Sequence, residues 1–119
     1  MDERLEKALE FSNYMTTLNN QKRIIKEQFS ENCVHYLDGG KFTVNRELMT
    51  FCQMIVSREM TSAVLIDDND TPIEIKDMVK FLDDIIDIYF TKSYEYLDKY
   101  TEIKTNRSVE GLINIWPEV

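Results

Sequence analysis

Residues 63–75 run Ala63-Val64-Leu65-Ile66-Asp67-Asp68-Asn69-Asp70-Thr71-Pro72-Ile73-Glu74-Ile75. An unbroken apolar run from Ala63 to Ile66, followed by polar residues, suits a short buried strand. Asp67 to Thr71 supplies a polar turn, and Pro72 to Ile75 alternates with the two-residue period of a half-buried strand. Two strands around a turn make a hairpin, so the chain is not all-helical. Pro72 has no N–H for a ladder, which marks the second strand as an edge.

Downstream, a long helix is expected to begin near Lys76 or Asp77 and run to about Thr105. Its inward set is Val79, Leu82, Ile85, Ile86, Tyr89, Tyr96, Tyr100 and Ile103. Asp77, Asp83, Asp84 and Asp87 sit towards its N-terminal half, and Lys99, Lys104 and Arg107 towards its end. Both signs suit the helix dipole. Ser108 is placed to cap a last short helix through Ile115, which Gly111 weakens and Trp116-Pro117 ends.

Upstream, Glu59 to Ser62 reads as a loop. Before it, Asn45 is a good N-cap for a helix from Arg46 to about Arg58, with Leu48, Phe51, Cys52, Ile55 and Val56 as its apolar stripe. Cys33 to Leu37 and Lys41 to Val44 are β-prone and flank Asp38-Gly39-Gly40, a hairpin signal. The other reading of that stretch continues the first helix to Tyr36 or Leu37 and stops it at the glycines. The first helix runs from near Asp2 to about Phe29. Its stripe is Leu5, Ala8, Phe11, Met15, Leu18, Ile25 and Phe29, with Lys22 as the one polar member of a near-heptad. A 31-residue shift lays Phe42-Thr43-Val44 on Ile73-Glu74-Ile75 and Leu48, Phe51, Met54 and Ile55 on Val79, Leu82, Ile85 and Ile86. That is a faint internal echo.

At 119 residues the chain is expected to form a single domain, 1–119. Hydrophobic residues make up 43%, enough to build a core and to set aside a disordered chain. The net charge of −8, from 22 acidic and 14 basic residues, repels phosphate backbones and disfavours direct nucleic-acid binding. Cys33 and Cys52 are too few for a disulfide framework and read as buried thiols in a reducing compartment. Met1-Asp2-Glu3-Arg4-Leu5 has neither a basic start nor an apolar core, so no signal peptide is expected. No window approaches the ~20 apolar residues that span a bilayer. The expected setting is soluble and cytoplasmic, with no membrane partner.

Cys33, His35 and Cys52 are the only Cys and His ligands. A structural zinc takes four ligands, usually with a C-x₂-C pair, and no such pair is present. His35 beside Cys33 on a strand face would also suit a Cys–His nucleophile, although such neighbours commonly only pack. A calcium loop starting at Asp68 would need an oxygen ligand at Pro72, Gly at Ile73 and Glu at Val79, and fails at all three. Asp84, Asp87 and Glu95 lack the Glu-x-x-His partners of a di-iron bundle. No phosphate-loop, dinucleotide, nucleophile-elbow or HExxH string occurs. No catalytic, cofactor-binding or metal residue is assigned, and a non-enzymatic protein is expected.

The residues singled out for contact with a partner are Tyr89, Tyr96, Tyr100 and Ile103. The tyrosines share a helix face, and tyrosine is enriched at protein contacts. A helix of ~28 residues is ~42 Å long at 1.5 Å per residue, against about 30–35 Å for a compact domain of this size. Either the first helix or a second copy of the chain would cover its far end.

The strings Asp38-Gly39-Gly40-Lys41-Phe42-Thr43-Val44-Asn45-Arg46-Glu47-Leu48 and Leu65 to Ile75 resemble small uncharacterised proteins of T-even-type tailed marine bacteriophages. The resemblance covers most of the chain. It implies a phage protein made in the host bacterial cytoplasm, and it brings no activity and no site residues.

The expected fold is therefore α+β and helix-dominated, in the order α-β-β-α-β-β-α. Two long antiparallel helices are joined by a middle helix and two short β-hairpins. The leading expectation is a protein that works by protein–protein contact, as a homodimer or small homo-oligomer, in assembly or in modulating a phage or host protein. The alternatives are an acidic regulator occupying a nucleic-acid-binding surface of a polymerase or nuclease, through Asp67, Asp68, Asp70, Asp83, Asp84 and Asp87, and a small enzyme or metal site around Cys33, His35 and Cys52.

Overall fold

The computed structural model describes residues 2–106. The elements follow as α1 (Glu3–Asn32), β1 (Val34–Leu37), β2 (Gly40–Thr43), α2 (Arg46–Ser57), β3 (Ala63–Ile66), β4 (Pro72–Ile75) and α3 (Met78–Thr105). This is the expected order, dominated by helix. The helix expected over Ser108 to Ile115 lies outside the described residues. Among the described residues no helix is long and apolar enough to cross a membrane. The chain divides into two compact units, residues 30–94 and residues 1–29 with 95–119.

In the first unit, β1 and β2 pair antiparallel with Leu37 opposite Gly40. Asp38 and Gly39 join them with φ of 50° and 81°. Two positive φ values in a two-residue loop are the I′ turn, whose twist matches that of the strands. The ladder extends outward, since the Val44 N–H donates to the Cys33 carbonyl at 2.7 Å. The hairpin reading therefore holds, and α1 stops at Asn32. β3 and β4 form the second hairpin, with Leu65 opposite Ile73. The two hairpins touch closely at Gly40: a Cβ there would lie 2.8 Å from Cγ1 of Ile73.

Asn45 caps α2 from extended backbone, and its side chain accepts the Leu48 N–H at 2.8 Å. Cys52 and Ile55 carry the buried side of α2, whereas Phe51 of the expected stripe is half-exposed. On α3 the expectation for Val79 was wrong. It faces solvent, and Met78, Phe81, Leu82 and Ile85 are buried instead. The first turn is set by two bonds: Met78 N–H donates to the Thr61 carbonyl at 2.9 Å, and Asp77 caps the Lys80 N–H at 3.0 Å. These rotate Met78 inward. The Phe81 ring then meets Phe42 and His35 edge-on, with centroids 5.3 and 5.4 Å away. The 31-residue echo matches the buried strand positions, Phe42 with Ile73 and Val44 with Ile75. It fails on the helices, pairing half-exposed Phe51 and Met54 with buried Leu82 and Ile85.

In the second unit, Phe29 stacks on Tyr96 at 5.1 Å, Lys22 Nζ lies 5.4 Å from the Tyr100 ring centre, and the Tyr14 hydroxyl donates to the Asn106 carbonyl at 2.6 Å. Descending numbers on α1 meet ascending numbers on α3, so these segments run antiparallel. Ile25 and Ile103 are the buried centre, with Tyr14, Leu18, Tyr96 and Tyr100 packed around them. The seam of α1 is thus Tyr14, Leu18, Gln21 and Ile25, still stepping by four and three but rotated from the expected stripe. Gln21 is buried, while Leu5 and Phe11 are exposed. The described part of α3 ends level with Tyr14, so the first turns of α1 meet no described helix. Lys22 is accommodated by the face of Tyr100, a cation–π contact.

Candidate functional site

The side of β3 turned away from β4 is open. Asp67 N–H donates to the Thr71 carbonyl at 3.0 Å, so Asp67, Leu65 and Ala63 are the residues that face β4 along the ladder. Val64 and Ile66 direct their N–H and C=O groups the other way. Among the described residues β3 has only β4 as a strand neighbour, and no hydrogen bond reaches that edge at Val64 or Ile66. Their side chains are 61% and 68% exposed. An exposed β-branched edge of this kind is what soluble proteins usually shield.

The far edge of β2 is treated differently. Asp67 Oδ2 accepts the Lys41 N–H at 3.0 Å, and Asp68 Oδ1 accepts the Thr43 N–H at 3.1 Å. The Asp68 N–H donates to the Lys41 carbonyl at 2.8 Å, and the Thr43 hydroxyl donates to Asp68 Oδ2 at 2.6 Å. Two carboxylates and one amide thus replace a neighbouring strand along β2. Asp67 Oδ1 also accepts the N–H groups of Asn69 and Thr71 at 2.9 Å each. Asp67 is only 5% exposed, so the expected polar turn buries its first acid. The N–H groups of Thr71, Lys41 and Asn69 hold its carboxyl below the usual carboxylate range, against the opposing effect of burial. Its charge is used inside the fold and is not offered to a partner.

Where β3 diverges from β2, a cleft of about 410 Å³ opens. It is lined by Ile66 and Asp68, by Glu47, Leu48 and Phe51 of α2, and by Phe42, Thr43 and Asn45 before that helix. Phe51 and Glu47 continue into a shallower groove with Arg46, Thr50 and Met54. Phe51 and Met54 are each 48% exposed. One surface therefore joins Met54, Phe51 and Ile66, with Val64 on the same strand face as Ile66.

The residues singled out from sequence fall elsewhere. Ile103 is fully buried against Ile25, with Tyr96 and Tyr100 half-buried beside it, so these three belong to the packing of their own unit. Tyr89, in the other unit, is half-buried against Phe90, with ring centres 5.5 Å apart. The aromatic side chains of α3 that face solvent there are Phe90 and Tyr94. Cys33 and Cys52 are buried thiols, and burial pushes Cys52 up to about 11, far from a thiolate at neutral pH. His35 lines a separate cleft of about 180 Å³ with Asp77, Asp84, Lys80 and Phe81. Among the described residues no three His, Cys, Asp or Glu side chains are grouped to hold a metal. Asp83 and Asp87 are exposed, while Asp84 is half-buried and 3.5 Å from Lys80.

The α2–β3 surface was legible only in part. Phe51 belongs to the expected apolar stripe of α2, and Val64 and Ile66 to the expected buried strand, yet these three side chains are 48%, 61% and 68% exposed. No family model, curated protein or solved structure matches the chain.

Proposed function

We infer that this protein works by binding another polypeptide, and that the α2–β3 surface is where it binds. The observation behind this is that Phe51 and Ile66 line one cleft and Met54 the groove beside it, with Val64 exposed on the same strand face as Ile66, all four roughly half-exposed or more. Isolated exposed apolar residues are ordinary, but a contiguous set beside a cleft marks an interaction site. In keeping with the sequence resemblance, the partner is a phage or host protein met in a bacterial cytoplasm.

The test uses a display library of peptides and small domains, selected on the wild-type protein and counter-screened on a Phe51→Asp, Ile66→Asp variant. Most binders should fail on the variant while its circular dichroism stays unchanged. Binders that bind the variant as well as the wild type would overturn the reading. Self-association through the same face is the second reading, favoured by the open β3 edge. Light scattering at micromolar concentration should then show a dimer that the same variant abolishes.

A further inference from the structure

Resting on that reading, we propose that the partner segment binds as an extended strand added to β3, between β3 and α2, and that it carries apolar residues at alternate positions and a basic residue at one flank. The open edge supplies the geometry. Val64 and Ile66 are two residues apart on one strand, so their N–H and C=O groups repeat at the spacing of a ladder. The next amide in that row, Asp68, is already bonded to a strand residue, the Lys41 carbonyl at 2.8 Å. The row is therefore oriented for strand pairing and is left unfilled only where β2 and β3 separate. A peptide entering there continues the pairing that Asp68 begins.

Every second side chain of such a peptide points to one face. On the α2 side it meets Leu48 and Phe51, beside Ile66 of β3, which explains the demand for apolar residues at alternate positions. Main-chain bonds supply affinity and the side-chain pocket supplies selectivity in this mode of recognition. The cleft is lined by two acids, Glu47 and Asp68, and by no base; Arg46 lines only the adjoining groove. Asp68 accepts two hydrogen bonds from Thr43 but stays exposed. With a chain charge of −8, a basic flank is steered in and a phosphorylated or acidic one is repelled.

The test takes peptides enriched from a random library on the wild-type protein and titrates them into the labelled full chain by NMR. The expected peptides alternate apolar residues and end in Lys or Arg. The amide signals of Val64 and Ile66 should shift and gain protection from exchange. N-methylating the alternate peptide amides that face β3 should weaken binding by about tenfold or more, the equivalent of one lost backbone bond. N-methylating the intervening amides should leave it intact. Glu47→Gln should weaken binding roughly 2- to 5-fold at low salt and much less at high salt, as a rim charge does. Enriched peptides with apolar residues at helical spacing, or binding indifferent to N-methylation, would overturn the added strand yet leave a polypeptide-binding surface standing. A library that enriches nothing, on a chain that also stays monomeric, would overturn both.

Discussion

Gln21 sits in the middle of the α1 seam between Leu18 and Ile25, 7% exposed, and its side-chain oxygen has no hydrogen-bond partner. A buried acceptor left unsatisfied costs about 1–3 kcal/mol, the desolvation of the group without a returning bond. Gln21→Met keeps the length and flexibility of the side chain and removes the acceptor. Helix propensity does not separate the two residues, because Met and Gln rank alike. Rotamer entropy does not either, since both lose up to about 1.5–2 kcal/mol on burial. What remains is the relieved desolvation, so the variant should be more stable by about 1–3 kcal/mol. At about 4–8 °C per kcal/mol for a small domain, that means Tm higher by at least ~4 °C. Thermal and urea unfolding followed by far-ultraviolet circular dichroism would measure it. The oxygen of Gln28 is also unpaired, but that residue is only half-buried, so Gln28→Met should gain less. If Gln21→Met lost stability by about 1 kcal/mol or more, the amide would be making bonds worth more than its burial costs. The reasoning would then be refuted.

Asp67→Asn should destabilise the fold at neutral pH and much less in acid. The Asp67 carboxyl titrates lower in the folded chain than in the unfolded one, so its contribution is complete above the ordinary carboxylate range and is lost as pH falls through that range towards the lower folded value. Urea midpoints of wild type and variant should converge on acidification, and a constant gap would count against it. Gly40→Ala drives a Cβ to 2.8 Å from Ile73, so it should cost about 1–3 kcal/mol as an overpacked contact. Gly39→Ala meets no atom but holds φ at 81°, and should cost only about 1–2 kcal/mol of left-handed strain. Pairing Gly40→Ala with Ile73→Ala, which removes Cγ1, should cost less than the sum of the two single changes, and strict additivity would contradict the clash. Cys33 and Cys52 should react with a thiol reagent at neutral pH only as fast as the chain opens, and Cys52 should stay slow well into alkaline pH. Rapid labelling in native buffer would disprove their burial.

Element order was readable from the chain because each signal is local. Asp38-Gly39 tolerates the positive φ of a tight turn, Asn45 accepts its own helix's N–H, and period two or three-and-a-half survives without any neighbour. Apolar residues state that a face is buried somewhere, but a tie between adjacent faces is broken only by the partner. On α1 the near-heptad was visible, yet which face lies on the seam was settled by where Tyr96, Tyr100 and Ile103 of α3 meet it. That choice buries Gln21 and sets Lys22 on Tyr100. On α3, two bonds at its first turn put Met78 inside and Val79 outside.

The candidate site was less legible still. Phe51, Val64 and Ile66 look like core residues in any window, because hydrophobicity does not say whether a second layer exists to cover them. They are exposed because, among the described residues, β3 has only β4 as a strand neighbour, and because β2 spends its outer edge on Asp67 and Asp68. From sequence those aspartates show only a polar turn, since the amides they accept lie 25 and 26 residues away. The sequence by itself determined the elements, their order and their turns, because these depend on the backbone preferences of neighbours. Only the tertiary structure decided which apolar faces are core and which are open, because burial is a property of two surfaces and the sequence describes one at a time.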